Sequence, residues 1–247
     1  MKKIVLTLLA AGCVFGASAQ SRIFNNPDNK GYLGVRASLD VTCPSKIKVT
    51  DKDDSMSISQ STFGSGAGFG VGVVYNFPLV ANLYLEPGVG FYYNTMSIKK
   101  DYLDEELDEL GIEYKNRSVR QWGMRIPVNF GYHFDFADNF NLAIFTGPVL
   151  NVGFSMDQYV KVKMGNLEVK STGSLYKAEE KDEDDRFNRC NLDWRVGVGA
   201  NFNNYFIAVS GDIALTNGYH VAKNNSKYYS TSYHQNLFQL TLGYNFK

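Results

Sequence analysis

The chain has 247 residues, a formal net charge of zero, and 23 glycines, 16 tyrosines and 17 phenylalanines against 6 prolines. Zero net charge removes the electrostatic case for nucleic acid, and abundant Gly and aromatics with few prolines suit strands and turns. The length fits one all-β domain, and beyond the N-terminus no stretch approaches the roughly 18 to 20 continuous apolar residues of a membrane helix.

Residues 1–19 read as a secretion signal. "MKK" is a basic start, "IVLTLLAAGCVFG" an apolar run, and Ala17, Ser18 and Ala19 an A-x-A site with cleavage before Gln20. The competing reading is a lipoprotein signal ending at Cys13, whose lipobox is poor because Ala10 stands where Leu is usual. Residues 20–30 then form a short periplasmic arm and 31–247 a single barrel domain. With Cys13 removed, Cys43 and Cys190 remain; they form one disulfide or stand as two unpaired thiols, and spacing does not choose between these.

Eight segments alternate apolar and polar residues with period two, the strand signature. "GYLGVRASLDV" (31–41) groups Leu33, Val35, Ala37, Leu39 and Val41, and "AGFGVGVVYNF" (67–77) groups Phe69, Val71, Val73, Tyr75 and Phe77. "NLYLEPGVGFYY" (82–93) groups Leu83, Leu85, Pro87, Val89, Phe91 and Tyr93. The clearest run is "RQWGMRIPVNFGYHF" (120–134), with Trp122, Met124, Ile126, Val128, Phe130, Tyr132 and Phe134 on one face. "NFNLAIFTGPVLNVGF" (139–154), "NLDWRVGVGANF" (191–202) and "YFIAVSGDIAL" (205–215) follow, and "NLFQLTLGYNFK" (236–247) ends the chain on Phe238, Leu240, Leu242, Tyr244 and Phe246. A bilayer-spanning strand needs about 9 to 11 residues, whereas soluble strands average about 5 or 6.

Connections alternate in length. "PLVAN", "DFAD" and "NN" are turn-like, whereas about 42–66, 95–117, 155–189 and 216–234 are long. Short periplasmic turns opposite long extracellular loops are the membrane-barrel layout, and an even strand number agrees with it. The apolar face carries aromatics near the strand ends, including Trp122, Tyr132, Phe134, Tyr75, Phe77, Tyr244 and Phe246, which suit interfacial girdles. The other face is rich in glycine (Gly66, Gly68, Gly70, Gly72, Gly88, Gly90, Gly197, Gly199), which fits a narrow lumen. A lipocalin-like barrel with the apolar face inward is the disfavoured alternative. Inward positions hold Arg36, Arg125 and Arg195 with Asp40, Glu86, Asp193 and Asp212. Inside eight strands such charges must pair, so they read as a polar plug; a selective pathway for a solute or proton is the other reading.

"YLEPGVGFYY", "MRIPVNFGYHF", "FTGPVL", "RVGVGANF" and the ending "LTLGYNF" together resemble the successive strands of PorT-like outer-membrane β-barrel proteins of Bacteroidetes, over about 31–247. The resemblance implies an all-β, eight-stranded antiparallel up-and-down transmembrane β-barrel in the bacterial outer membrane. It also implies barrel assembly machinery as a partner during biogenesis and outer-membrane lipid as the surroundings. One departure is Lys247, which follows the terminal aromatic Phe246.

Catalytic signatures are sparse. There are three histidines, and no H-E-x-x-H, G-x-S-x-G or Gly-rich phosphate loop. His133 lies inward near the periplasmic end, and His220 and His234 flank the fourth loop. His234 with Ser232 or Ser230 is the one candidate for a lipid hydrolase at the outer boundary. "EEKDEDD" (179–185) lacks the spacing of a calcium loop and reads as a solvated acidic loop. "DYLDEELDEL" (101–110) places Leu103, Leu107 and Leu110 on one face of a short helix. "YVKVKMGNLEVK" (159–170) reads as a hairpin around "MGN". Tyr219, Tyr228, Tyr229 and Tyr233 give the fourth loop a binding-loop composition; anchoring of strand ends at the interface is the other reading.

The expectation is therefore a non-enzymatic surface protein with a plugged lumen, monomeric and without cofactor or metal, which binds an extracellular ligand or protein through its loops or serves the envelope structurally. The alternatives are a narrow porin for small solutes and an outer-membrane lipid-modifying enzyme.

Overall fold

The structure, a computed structural model, describes residues 31–52, 56–99, 112–137, 139–164, 167–176, 185–222 and 225–247. The signal segment, the arm, the leucines at 103, 107 and 110, and the acidic run before Asp185 lie outside the described residues.

Eight long strands follow the alternating segments: β1 (Tyr32–Pro44), β2 (Gly66–Pro78), β3 (Leu83–Ile98), β4 (Ile112–Ala137), β5 (Phe140–Met164), β6 (Cys190–Phe202), β7 (Tyr205–Ala214) and β8 (Gln235–Phe246). Each pairs antiparallel with its chain neighbour. β8 pairs with β1 from Leu33↔Phe246 to Pro44↔Gln235, and this closes an eight-stranded up-and-down barrel. The last strand is therefore held on both sides. Closure leaves no sheet edge, which hydrocarbon would not tolerate. The short turns use left-handed backbone at Ala81, Asn82 and Asn203 (φ 54, 64 and 53), and Asn visits that region more readily than most residues.

Burial inverts the pattern of a soluble protein. The outward residues Leu39 (64%), Val71 (55%), Phe91 (58%), Val198 (58%) and Leu242 (57%) are exposed, while inward Asp40 (2%), Asn94 (1%), Asp212 (1%) and Asn245 (0%) are buried. The apolar face is outward, as the aromatics and glycines indicated. At the short-turn end Tyr75–Phe77, Tyr132–Phe134, Phe136–Phe140, Tyr205–Tyr244 and Tyr244–Phe246 form ring pairs. Toward the other rim Trp122 packs on Phe154 and Phe69 on Tyr93. These are the two girdles of a membrane belt.

β4 and β5 run 26 and 25 residues, well beyond the about 9 to 11 that a membrane requires. The segments expected as loop near 112–117 and 155–164 are strand, offset by a register shift at Trp122/Gly123. With Leu167–Ser174 paired to β5, they build a three-stranded blade above the belt. The hairpin expected over 159–170 is present within it.

The disulfide reading is overturned: Cys43 and Cys190 are both free and exposed. Cys43 shares the outward face of β1 with Val41, and Cys190 the outward face of β6 with Leu192. β8 and β7 stand between those strands, so the thiols are on the order of 14 Å apart at about 4.8 Å per strand, too far to bond.

The belt predicts a depth-dependent response. Leu240→Arg, at mid-belt opposite Leu39 and Val209, should cost about 2–4 kcal/mol, and Val41→Arg near the rim about 0–1 kcal/mol. Urea unfolding in lipid vesicles measures both.

Candidate functional site

Inward side chains occupy the lumen at successive levels. Near the short turns, Asn245 donates to Asn201 (2.9 Å) and Asn201 to Asn141 (2.8 Å), an amide ladder across β8, β6 and β5. Above it Tyr84, Ala143, Phe145, Phe206 and Ala208 form an apolar cluster. The Tyr84 ring lies on Gly131, where any Cβ would collide with it, so the glycine makes room for the ring.

The middle of the lumen holds the charges, and the structure pairs six of the seven expected residues. Arg36 donates to Glu86 (3.1 Å) and to Asn245, with its guanidinium 4.4 Å over the Phe206 ring. Arg125 donates to Asp40 (3.1 Å) and Asn151 (3.1 Å) and stacks on Tyr92 at 4.6 Å. Arg195 grips Asp212 with two bonds of 2.7 Å. Gln239 joins the last two pairs, accepting from Arg195 and donating to Asp40 at 2.9 Å. Asp193, the seventh, accepts from Asn151 (2.6 Å), so an unbroken chain runs Asp193–Asn151–Arg125–Asp40–Gln239–Arg195–Asp212. Desolvated charges need such partners, and Asp193 finds an amide in place of a cation. The sequence named the charges but not Asn151, Gln239 or the asparagine ladder, whose inward parity was the available signal.

At the extracellular mouth Phe63, Met96, Val119, Met156, Tyr176, Phe187 and Tyr233 form a buried apolar cluster, with Phe63, Phe187 and Tyr233 in mutual edge contact at 5.4–5.8 Å. The cap draws on three extracellular loops and three strands, and no local pattern announced it. Voids among the described residues include one of about 90 Å³ among Arg36, Glu86, Arg125 and Arg195 and one of about 50 Å³ among Tyr92, Asn151, Asp193 and Tyr233. Arg125 lines both, and each has room for a few waters.

The four loop tyrosines part company. Tyr233 is 2% exposed in the cap, so its expected place in a binding surface is corrected: it follows the inward parity of β8. Tyr219 packs edge-on against Phe187, and Tyr228 is 63% exposed. Tyr229 donates to Asp185 (2.7 Å), which also accepts from the Ala222 amide (2.8 Å), tying the third loop to the fourth. Burial raises the Asp185 pKa, but the bonds from Ala222, Tyr229 and Asn225 outweigh it and hold the carboxyl below its usual value; the same bond pushes Tyr229 up to about 12. His234 accepts from or donates to Ser232 Oγ at 3.3 Å, and its Nδ1 meets the Thr216 carbonyl at 3.1 Å. No carboxylate orients that imidazole among the described residues. Nor do the described residues contain a group of three or more His, Cys, Asp or Glu able to hold a metal.

The family model described as "Outer membrane protein beta-barrel domain" matches residues 18–219. No curated protein matches the sequence. Among solved structures, the chain is similar to the attachment invasion locus protein Ail of Yersinia pestis, at 12% identity over 86% of this chain and 98% of that one, with a TM-score of 0.30. It is similar to Neisserial surface protein A at 11% identity over 87% and 97%, with a TM-score of 0.33. It is similar to the outer membrane protease OmpT of Escherichia coli at 11% identity over 87% and 97%, with a TM-score of 0.40.

Two outcomes test this geometry. Arg195→Ala strands buried Asp212 and should lower stability by about 3–5 kcal/mol, with much of the loss recovered in Arg195→Ala/Asp212→Ala; denaturant unfolding in detergent reads both. The folded Asp185 pKa lies below the ordinary value of 3.8, so its clamp contributes above that value and is lost as pH falls through the depressed one. Hydrogen exchange at 219–222 and 225–232, corrected for intrinsic pH dependence, should show protection at neutral pH that disappears on acidification and is absent throughout in Asp185→Ala.

Proposed function

Because the chain belongs to the outer membrane protein β-barrel domain family, and so resides in the bacterial outer membrane, we propose that it is a closed, non-enzymatic surface protein whose barrel holds its extracellular loops and blade for binding a ligand or partner. The observation that carries this reading is the continuous polar chain across the lumen, with an apolar cluster from loops and strand ends above it. A rigid scaffold presenting loops is the usual arrangement for recognition. The strand motifs quoted above support a place among the PorT-like members. Against an enzymatic role, the Ser232–His234 contact has a backbone carbonyl, not an acid, behind its imidazole.

The narrow-porin reading rests on one observation, that Arg125 lines both voids. Single-channel recording of the refolded protein separates the two. Wild type is expected to be silent, with Arg125→Ala giving at most brief steps because the cap remains. Steady discrete steps in wild type would make it a pore.

A further inference from the structure

The wall formed by β7, β8, β1 and β2 changes character abruptly at its upper rim. On β1 the outward apolar residues run from Leu33 to Val41, nine positions, which exhausts the about 9 to 11 residues of a membrane strand. The next outward rung is Cys43↔Asn236. Above it the Ser45 amide donates to the His234 carbonyl (2.8 Å) and the His234 amide to Ser45 Oγ (2.9 Å). Ser232 pairs with Lys48 in the small sheet of Ile47–Asp51, Ser57–Gln60 and Tyr229–Ser232. Ser232 and His234 keep the outward parity of Phe238, while Thr231 and Tyr233 between and beside them are buried. The imidazole is fixed by Ser232 on one nitrogen and Thr216 on the other. Lys46 and Lys48 are exposed beside it.

The charge here is one-sided. At the rungs next to the belt, "CPSKIKVT" (43–50), "STFGSGA" (61–67), "IALTNG" (213–218) and "STSYHQN" (230–236) contain no Asp or Glu; the first acid is Asp51, at the far end of the small sheet opposite Tyr229. What covers the sector follows from its height: it continues the lipid-facing wall directly above the hydrocarbon belt, at headgroup level on the extracellular side.

We propose that this rim is a binding site for the phosphorylated sugar headgroup of an outer-leaflet glycolipid. Lys46 and Lys48 meet the phosphate as point charges. The hydroxyls of Ser232 and Ser45 and the exposed Asn236 amide meet sugar hydroxyls, and Phe238 and Val41 receive the acyl chains. The site deepens the proposed surface role and rests on the membrane placement, not on a closed lumen, so a conducting lumen would leave it standing.

The test is lipid binding by the refolded full-length barrel in detergent, read by native mass spectrometry and by titration with three probes: lipid A, enzymatically dephosphorylated lipid A, and phosphatidylglycerol. Heat-modifiable gel migration confirms that each variant is folded. Lipid A is expected to bind at least about tenfold more tightly than either other probe. Lys46→Ala/Lys48→Ala should lose about tenfold or more, and Ser232→Ala/His234→Ala should lose discrimination against phosphatidylglycerol. Lys170→Ala, on the blade, serves as the control and should match wild type. Equal binding of lipid A and its dephosphorylated form, equal competition by phosphatidylglycerol, or a Lys46/Lys48 variant that binds like wild type would each overturn the proposal.

Discussion

Hydrocarbon offers no partner for a backbone N–H or C=O, and the pairing of β8 with β1 is the answer to that constraint on which the rest depends. Once the ring is closed, period-two alternation has only two destinations, lipid and lumen. With eight strands the lumen is about one layer of side chains wide, so whatever faces inward must fill it and satisfy itself. That is why the three arginines are each held by a carboxylate, and why the inward glycines matter. Gly131 receives the Tyr84 ring and Gly153 the Tyr176 hydroxyl end, so small residues on one strand make room for large ones from another strand or from a loop.

Much of this was legible because parity is local. The alternation in 120–134 or 236–247 identifies a strand and its two faces without any knowledge of neighbours, and the loop lengths orient the barrel. Parity applied more strictly would have gone further. Tyr233 lies an even number of residues before Leu237, which faces inward, so it belonged to the lumen side despite its polar company. Cys43 shares parity with Val41 and Cys190 with Leu192, which places both thiols toward lipid on separate strands.

Pairings across the lumen were not legible, for a physical reason. Which inward residue meets which depends on strand stagger and tilt, and those are properties of the closed ring. Arg125 reaches Asp40 from β4 to β1 across the barrel, and Gln239 bridges to it from β8. Nothing in the neighbourhood of Gln239 in the chain distinguishes it from the other polar residues of that strand. The cap is harder still, because Phe63, Tyr176 and Phe187 come from loops whose local patterns are irregular. The length of β4 and β5 was missed because residues above the membrane have no lipid to alternate against, so the apolar signal fades while the hydrogen-bonded ladder continues.

Sealing and display are therefore carried by the same segments. The loop that contributes Tyr233 to the cap also offers Tyr228 to solvent, and the loop that contributes Phe187 carries Asp185, whose carboxylate clamps Tyr229. A ligand that engaged the outer faces while leaving the cap in place would bind a preorganised surface and avoid the cost of ordering it. One that withdrew Tyr233 from its ring contacts would forfeit about 3–5 kcal/mol of buried aromatic packing and expose the polar chain beneath. On the proposed surface role, these costs favour a ligand that meets the outer faces of the loops and the blade over one that displaces the cap.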